Sequence, residues 1–218
     1  MVRDALLIAS VDWTAVASLA TAAGTLVLAV ATFAAVRSSN RAARSSERAL
    51  LAGIRPVLVS SRLDDPEQKV GFYDDRYLRV PGGRFVAEAT DDAVYFVMSL
   101  RNVGNGIAVL DRWDLHTERR PGDEPRDPST FRRLTRDLYV PSGDVGFWQG
   151  ALRDTSDPLF AQMRDIVRAH EGFSVDLLYA DHEGGQRTIT RFAAIPAGED
   201  AWLASISRHW HLDRDDPR

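Results

Sequence analysis

From Trp13 to Val36 the chain runs 24 consecutive residues without a charge, Pro, Asn or Gln. At about 1.5 Å of rise per residue a helix of that length spans roughly 36 Å, enough to cross a bilayer. Val16, Leu19, Leu26, Val27, Leu28, Val30, Phe33 and Val36 carry the apolarity on a background of nine alanines. A buried core helix is the competing reading, but such helices are usually shorter and seldom stand at an unflanked terminus. A cleaved signal peptide would want a positive leader and an apolar stretch of only about 7–15 residues. Here Arg3 is accompanied by Asp4 and Asp12, and the cations follow the run instead. An uncleaved transmembrane helix is therefore expected over 13–36, preceded by a short extracytoplasmic segment, 1–12.

Lys and Arg are retained on the cytoplasmic side of a membrane, whereas carboxylates contribute little to orientation. Arg3 precedes the apolar run; Arg37, Arg41, Arg44 and Arg48 follow it. The expected topology is a single pass through the cell membrane, with the N-terminus outside and everything after Arg37 cytoplasmic. Spacings of four, three and four place these arginines within about 60° of one another on a continuing helix. A basic juxtamembrane stem is thus predicted over 37–53, ending at Gly53 just ahead of Pro56. Its cations would attract anionic headgroups of the lipid bilayer by about 1 kcal/mol each, although charge retention plus a solvated stem explains them equally well. Within the span, Ala20-xxx-Gly24 and Ala31-xxx-Ala35 would let two helices approach closely and form a homo-oligomer; alanine-rich helices also present such pairs by chance.

Beyond the stem the periodicity changes from helical to alternating. Short apolar runs at 56–61 and 93–100 read as strands, the second bounded by Asp91-Asp92 and Asn102. Asn102-Val103-Gly104-Asn105-Gly106 supplies residues that tolerate positive φ before alternation resumes over 107–115, which predicts a hairpin. A second hairpin is predicted from 173–181 and 186–195 around His182-Glu183-Gly184-Gly185, with Val175, Leu177 and Tyr179 alternating. Further strands are expected at 76–80, 138–140, 146–149 and 202–210. One helix interrupts them: Asp157 can cap a segment starting at Pro158, with Leu159, Phe160, Met163, Ile166 and Val167 on one face and Gly172 as its stop. The stretch 117–130 is a charged, Pro-rich loop. The expected fold is mainly β: a β-sandwich-like or partly closed barrel domain over 54–212 with one inserted helix, followed by a polar tail, 213–218.

Composition narrows the chemistry. The 218 residues include no cysteine, which excludes disulfides, thiolate metal sites and a Cys nucleophile. Formal net charge is −4; the portion from Ala49 onward holds 22 cations and 28 carboxylates, a balance of −6. An acidic body follows a basic stem, so nucleic acid is not expected as a partner, and repulsion from anionic lipid should keep the body off the membrane surface.

The apolar helix, the basic stem, Arg55-Pro56-x-Leu58 and the run Leu100-Arg101-Asn102-Val103-Gly104-Asn105-Gly106-Ile107-Ala108 resemble uncharacterised bacterial single-pass membrane proteins with a small Ig-like β domain. The similarity covers about residues 13–109. It implies architecture and transfers no catalytic residue.

Among candidate chemistries, His209 and His211 alternate on a possible strand and so share a face, with Asp181, His182 and Glu183 available elsewhere as further ligands for metal. The plainer reading packs one imidazole under Trp202 or Trp210 and leaves the other solvated. The chain contains no Gly-x-Ser-x-Gly, Ser-x-x-Lys, Walker or Gly-x-Gly-x-x-Gly pattern, so no catalytic residue or cofactor is implied. Asp64-Asp65, Asp74-Asp75 and Asp91-Asp92 read as loop carboxylates rather than a glycosidase pair. Arg136, Tyr139, Phe147 and Trp148 could form a partner surface, since aromatics and Arg dominate binding hot spots, or fill the core, with Arg136 paired to Asp137 or Asp181. The leading expectation is a membrane-tethered cytosolic interaction or adaptor module, more noncatalytic than enzymatic, that meets a protein partner. The alternative is a small-ligand or metal-binding domain or enzyme using a pocket near His209, His211 and Asp181.

Overall fold

The computed structural model describes residues 12–119, 122, 124–198 and 200–214. The chain divides after Leu50 into two compact units, an apolar-to-basic helix and a β domain.

Helix α1 runs without interruption over Trp13–Gly53. Asp12 caps it, its carboxylate accepting from the Thr14 backbone N–H at 3.1 Å. The large apolar side chains from Val16 to Val36 all stand exposed on this helix. It is long and apolar enough to cross a membrane, and no other described helix is. Three hydroxyls of its apolar part are satisfied internally: Ser18 donates to the Thr14 carbonyl, Thr21 to Ala17 and Thr25 to Thr21, at 2.8–2.9 Å. Hydroxyls bonded back along the helix carry no unmet donor into an apolar medium.

The β domain is built from β1 (Leu58–Ser60), β2 (Gln68–Gly71), β3 (Tyr77–Val80), β4 (Arg84–Ala89), β5 (Val94–Asn102), β6 (Ala108–His116), β7 (Arg132–Val140), β8 (Val145–Leu152), α2 (Pro158–Arg168), β9 (Phe173–Ala180), β10 (Thr188–Ala197) and β11 (Ala201–His211). Nine strands form one curled antiparallel sheet in the order β1-β5-β4-β11-β10-β9-β6-β7, with β8 on β5. Because β8 pairs with residues 94–101 of β5 along one edge, β1 (opposite 100–102) and β4 (opposite 94–98) share the other edge end to end. The fold is mainly β, a curled antiparallel sheet with one further helix, as expected of a β-sandwich-like or partly closed barrel domain. β7 and β8 are joined by the turn 141–144, yet no ladder pairs them among the described residues, so the curl has a seam there.

The main core fills the curl with Phe85, Phe96, Met98, Trp148, Phe173, Phe192 and Trp202, joined by Phe160, Met163, Ile166 and Val167 of α2. Burying each of those four helix residues contributes about 1.5–3 kcal/mol. Asp157 caps α2 by accepting from the Leu159 N–H at 2.9 Å, and Pro158 opens it. The helix ends at Arg168, two residues before His170 takes up φ 53°, earlier than the expected stop at Gly172.

β5 and β9 are buried on both faces rather than alternating. The β2–β3 hairpin covers one outer face with Val70, Phe72, Leu78 and Val80 against Tyr95 and Val97. Phe131 covers another, against Leu178, Ile189 and Trp210. The predicted β9–β10 hairpin forms, Thr188 to Ala194 opposing Tyr179 to Phe173.

The predicted hairpin over Asn102–Gly106 does not form. β5 pairs with β1, β4 and β8, whereas β6 pairs with β7 and β9, so the segment crosses between walls of the curl. Its glycines are required by close approach, not by positive φ: a Cβ on Gly104 would strike the Arg55 carbonyl and one on Gly106 the Ile54 carbonyl. Asn102, fully buried, holds the crossing. Its amide donates to the carbonyls of Gly106 and Val140 at 2.6 and 2.9 Å, and its oxygen accepts from the N–H groups of Val57 and Gly104 at 3.1 and 3.0 Å. The Arg-Asn-Val-Gly-Asn-Gly motif is thus a clasp, not a turn between neighbours.

Candidate functional site

Along the β7–β8 seam lies a cleft of about 670 Å³. Its origin is a backbone irregularity in β7. Between the pairs Leu110↔Leu138 and Arg112↔Arg133, a single residue of β6, Asp111, faces residues 134–137 of β7. The surplus residues push that part of β7 outward, a bulge that re-aims side chains and ends regular pairing.

Arg132, Arg133, Thr135 and Arg136 form one wall, and Gln149, Ala151 and Arg153 the other. Gly71, Phe72, Tyr73 and Tyr77, from the β2–β3 hairpin, provide an aromatic rim. The floor is Gly150 and the Trp113 indole; a Cβ at Gly150 would come within 2.7 Å of Trp148 and 3.2 Å of Trp113, so only glycine leaves this floor open.

The four guanidiniums fall into two classes. Arg132 donates to Asp157 at 2.7 Å and lies 5.9 Å over the Trp113 ring, and Arg153 donates to Asp74 at 3.1 Å while stacking 4.2 Å from Tyr73. Arg133 and Arg136 have no carboxylate partner among the described residues. Arg136 reaches across the seam to the Gln149 carbonyl oxygen at 2.6 Å and lies 5.4 Å from the Phe147 ring. In addition, the buried Nε of Arg132 has no hydrogen-bond partner among the described residues. Among the described residues, no carboxylate lines the cleft itself. An uncompensated pair of planar donors beside aromatic faces is suited to an anionic group.

Asp74 is held below the ordinary carboxylate range: burial pushes it up, and hydrogen bonds from Tyr95 and Arg153 outweigh that. Burial, with the Asp74 carboxylate, pushes the Tyr95 hydroxyl up. Asp74 thus stays charged, positioning Arg153.

The other residues singled out by sequence are dispersed. Trp148 is fully buried in the main core, Phe147 is half-buried beneath Arg136, and Tyr139 is exposed on the opposite side of its strand from buried Leu138 and Val140. Arg136 bonds Gln149 rather than Asp137 or Asp181. His209 meets the Thr190 hydroxyl at 2.7 Å, and His211 meets the Thr188 hydroxyl at 3.3 Å and Arg55 at 3.2 Å, so each imidazole has a hydroxyl on the facing strand. Burial pushes both histidines down, with the Arg55 charge adding to the effect at His211. Asp181 organises the β9–β10 turn, accepting from the N–H groups of Glu183, Gly185 and Gln186 at 2.9–3.1 Å. Burial raises its pKa and those bonds outweigh it, leaving it low. No group of three metal-capable side chains converges among the described residues. Asp65, Asp74 and Asp91 each pair with an arginine: Arg101, Arg153 and Arg168. Arg37, Arg41, Arg44 and Arg48 lie exposed on α1.

Sequence reasoning found Arg136 but missed Arg132, Arg133 and Arg153. The available signal was three arginines within Arg132-Arg133-Leu134-Thr135-Arg136. Compared with known proteins, the chain matches no protein-family model and no curated protein.

Proposed function

We propose that this protein is a membrane-tethered binding module: α1 anchors it in the cell membrane as a single-pass helix with its N-terminus outside, and the cytoplasmic β domain recognises an anionic partner through the cleft between β7 and β8. The observation that carries the recognition reading is the pairing of Arg133 and Arg136, free of carboxylates, with an aromatic rim around one bounded cleft. Support for the tether is the exposed apolar face of α1 over Val16 to Val36; support for the orientation is the Arg37, Arg41, Arg44 and Arg48 stripe against Arg3 alone on the other side. Confinement to the membrane raises the effective concentration of the module for other membrane components. The Ig-like resemblance of residues 13–109 accords with this architecture.

Three measurements test the reading. A reporter fused after Arg218 should be active only in the cytoplasm, and the full chain should sediment with membranes and resist carbonate extraction. Full chain in neutral phosphatidylcholine nanodiscs should retain anionic ligands in a salt-sensitive manner that the Arg136→Gln variant loses. A freely soluble product, or anion binding indifferent to Arg136→Gln, refutes the corresponding half.

A further inference from the structure

Resting on the reading of the cleft as an anion site, a more specific occupant can be named. Two guanidiniums without carboxylates present two positive charges, and a phosphate monoester carries about −1.5 to −2 near neutral pH, with three acceptor oxygens. A single carboxylate would leave one of the pair unmatched. The buried Arg132 Nε supplies a further unpaired donor on the same wall. At the rim, Tyr73 is 74% and Tyr77 55% exposed. Each has a cation near its ring, Arg153 at 4.2 Å and Lys69 at 4.4 Å respectively. Large exposed rings already backed by a cation offer their remaining surface to another flat ring. The volume of about 670 Å³ lies within the roughly 300–1,000 Å³ typical of small-molecule sites. The domain's balance of −6 opposes a polyanion, whose charge would extend beyond the cleft, but barely affects one phosphate held locally.

We propose that the cleft binds a nucleoside phosphate, its phosphate held by Arg133 and Arg136 and its base laid against Tyr73 and Tyr77. The bound chemistry is a phosphate monoester joined to a flat ring, and no bond is made or broken.

The test is calorimetric titration of the full chain in phosphatidylcholine nanodiscs with AMP, adenosine, inorganic phosphate, O-phosphotyrosine and a glutamate-rich hexapeptide. AMP should bind saturably at one site, at least tenfold more tightly than adenosine or inorganic phosphate. Arg133→Gln and Arg136→Gln should each weaken AMP at least tenfold with an unchanged thermal midpoint, and Tyr77→Ala should weaken AMP but not inorganic phosphate. Inorganic phosphate binding as tightly as AMP, O-phosphotyrosine binding more tightly than AMP, or AMP binding unaffected by both arginine variants would overturn the assignment. Hexapeptide binding that depends on Arg136, without AMP binding, overturns the nucleotide and leaves the anion-binding module standing. If none of the anions binds, both fall.

Discussion

The buried charge cluster behind β9 and β10 yields a quantitative prediction. Asp176 is fully buried and Arg191 only 2% exposed. The Arg191 guanidinium grips the carboxylate through Nε at 2.6 Å and Nη2 at 2.7 Å, and His116 Nε2 lies 2.9 Å from the same group. Arg191 also donates to the Gly122 carbonyl at 2.5 Å, tying the charged loop after β6 to the sheet, and sits 4.8 Å over the Trp210 ring. Asp176→Asn keeps the shape and removes the charge that the buried Arg191 guanidinium grips through two bonds. Removing one partner of a buried pair costs about 3–5 kcal/mol. Asparagine retains one acceptor oxygen, so the expectation lies near the lower end, about 3 kcal/mol, or on the order of a hundredfold in the folding equilibrium. Urea unfolding of the full chain in detergent, followed by Trp fluorescence, should show the midpoint falling by about 1–3 M for a slope of about 1–3 kcal/mol/M. Replacing both partners, Asp176→Asn with Arg191→Met, should recover most of the loss. A single-variant cost below about 1 kcal/mol, or a double variant no better than Asp176→Asn, would refute the coupling. The pH behaviour has a definite sign. Burial raises the Asp176 pKa, but the bonds from Arg191 and His116 outweigh it and the carboxyl sits low. Its contribution is therefore complete above the unfolded-chain value of about 3.9 and is lost as pH falls through the folded value.

Three further outcomes follow from the clasp and the histidines. Asn102→Ala, which strands the N–H groups of Val57 and Gly104 and the carbonyls of Gly106 and Val140, should cost at least about 3 kcal/mol in the same urea titration. Gly106→Ala should cost more than about 3 kcal/mol or abolish folding, because the Ile54 carbonyl occupies the space of the new methyl; a variant with wild-type stability would show that the segment yields freely. His209 is pushed down by burial, so stability should decline as pH falls below about 6.5, the unfolded-chain value, and level off below the folded one. His209→Gln should reduce that decline between pH 7 and 5, measured by thermal midpoint, and an unaltered profile would assign the decline elsewhere.

What the linear chain determines here is whatever a short window encodes. The uncharged run over 13–36 specifies a helix by its unbroken length, the arginine stripe after it repeats at the helical period, and α1 extends to Gly53 as that grammar demands. Asp157-Pro158 and the apolar face after it specify α2, and the alternation around Gly184 specifies the β9–β10 hairpin, since their partners are near in sequence. The same logic failed at Asn102–Gly106, where glycines that look suited to a tight turn instead admit a backbone some fifty residues earlier in the chain. It also left β2 and β4 unread: β2 mixes Gln68, Lys69 and Gly71 with a single apolar residue, Val70, and β4 owes its place to pairing with β5 and β11. The cleft was decided by tertiary structure alone. Arg136 and Phe147 stand out locally, but the bulge opposite Asp111, the overhang of Tyr73 and Tyr77 from a distant hairpin, and the withdrawal of Asp74 and Asp157 to Arg153 and Arg132 are long-range events. Which arginines keep a carboxylate and which do not depends on three-dimensional neighbours, and a residue's neighbours across a curled sheet have no periodic signature in its own segment.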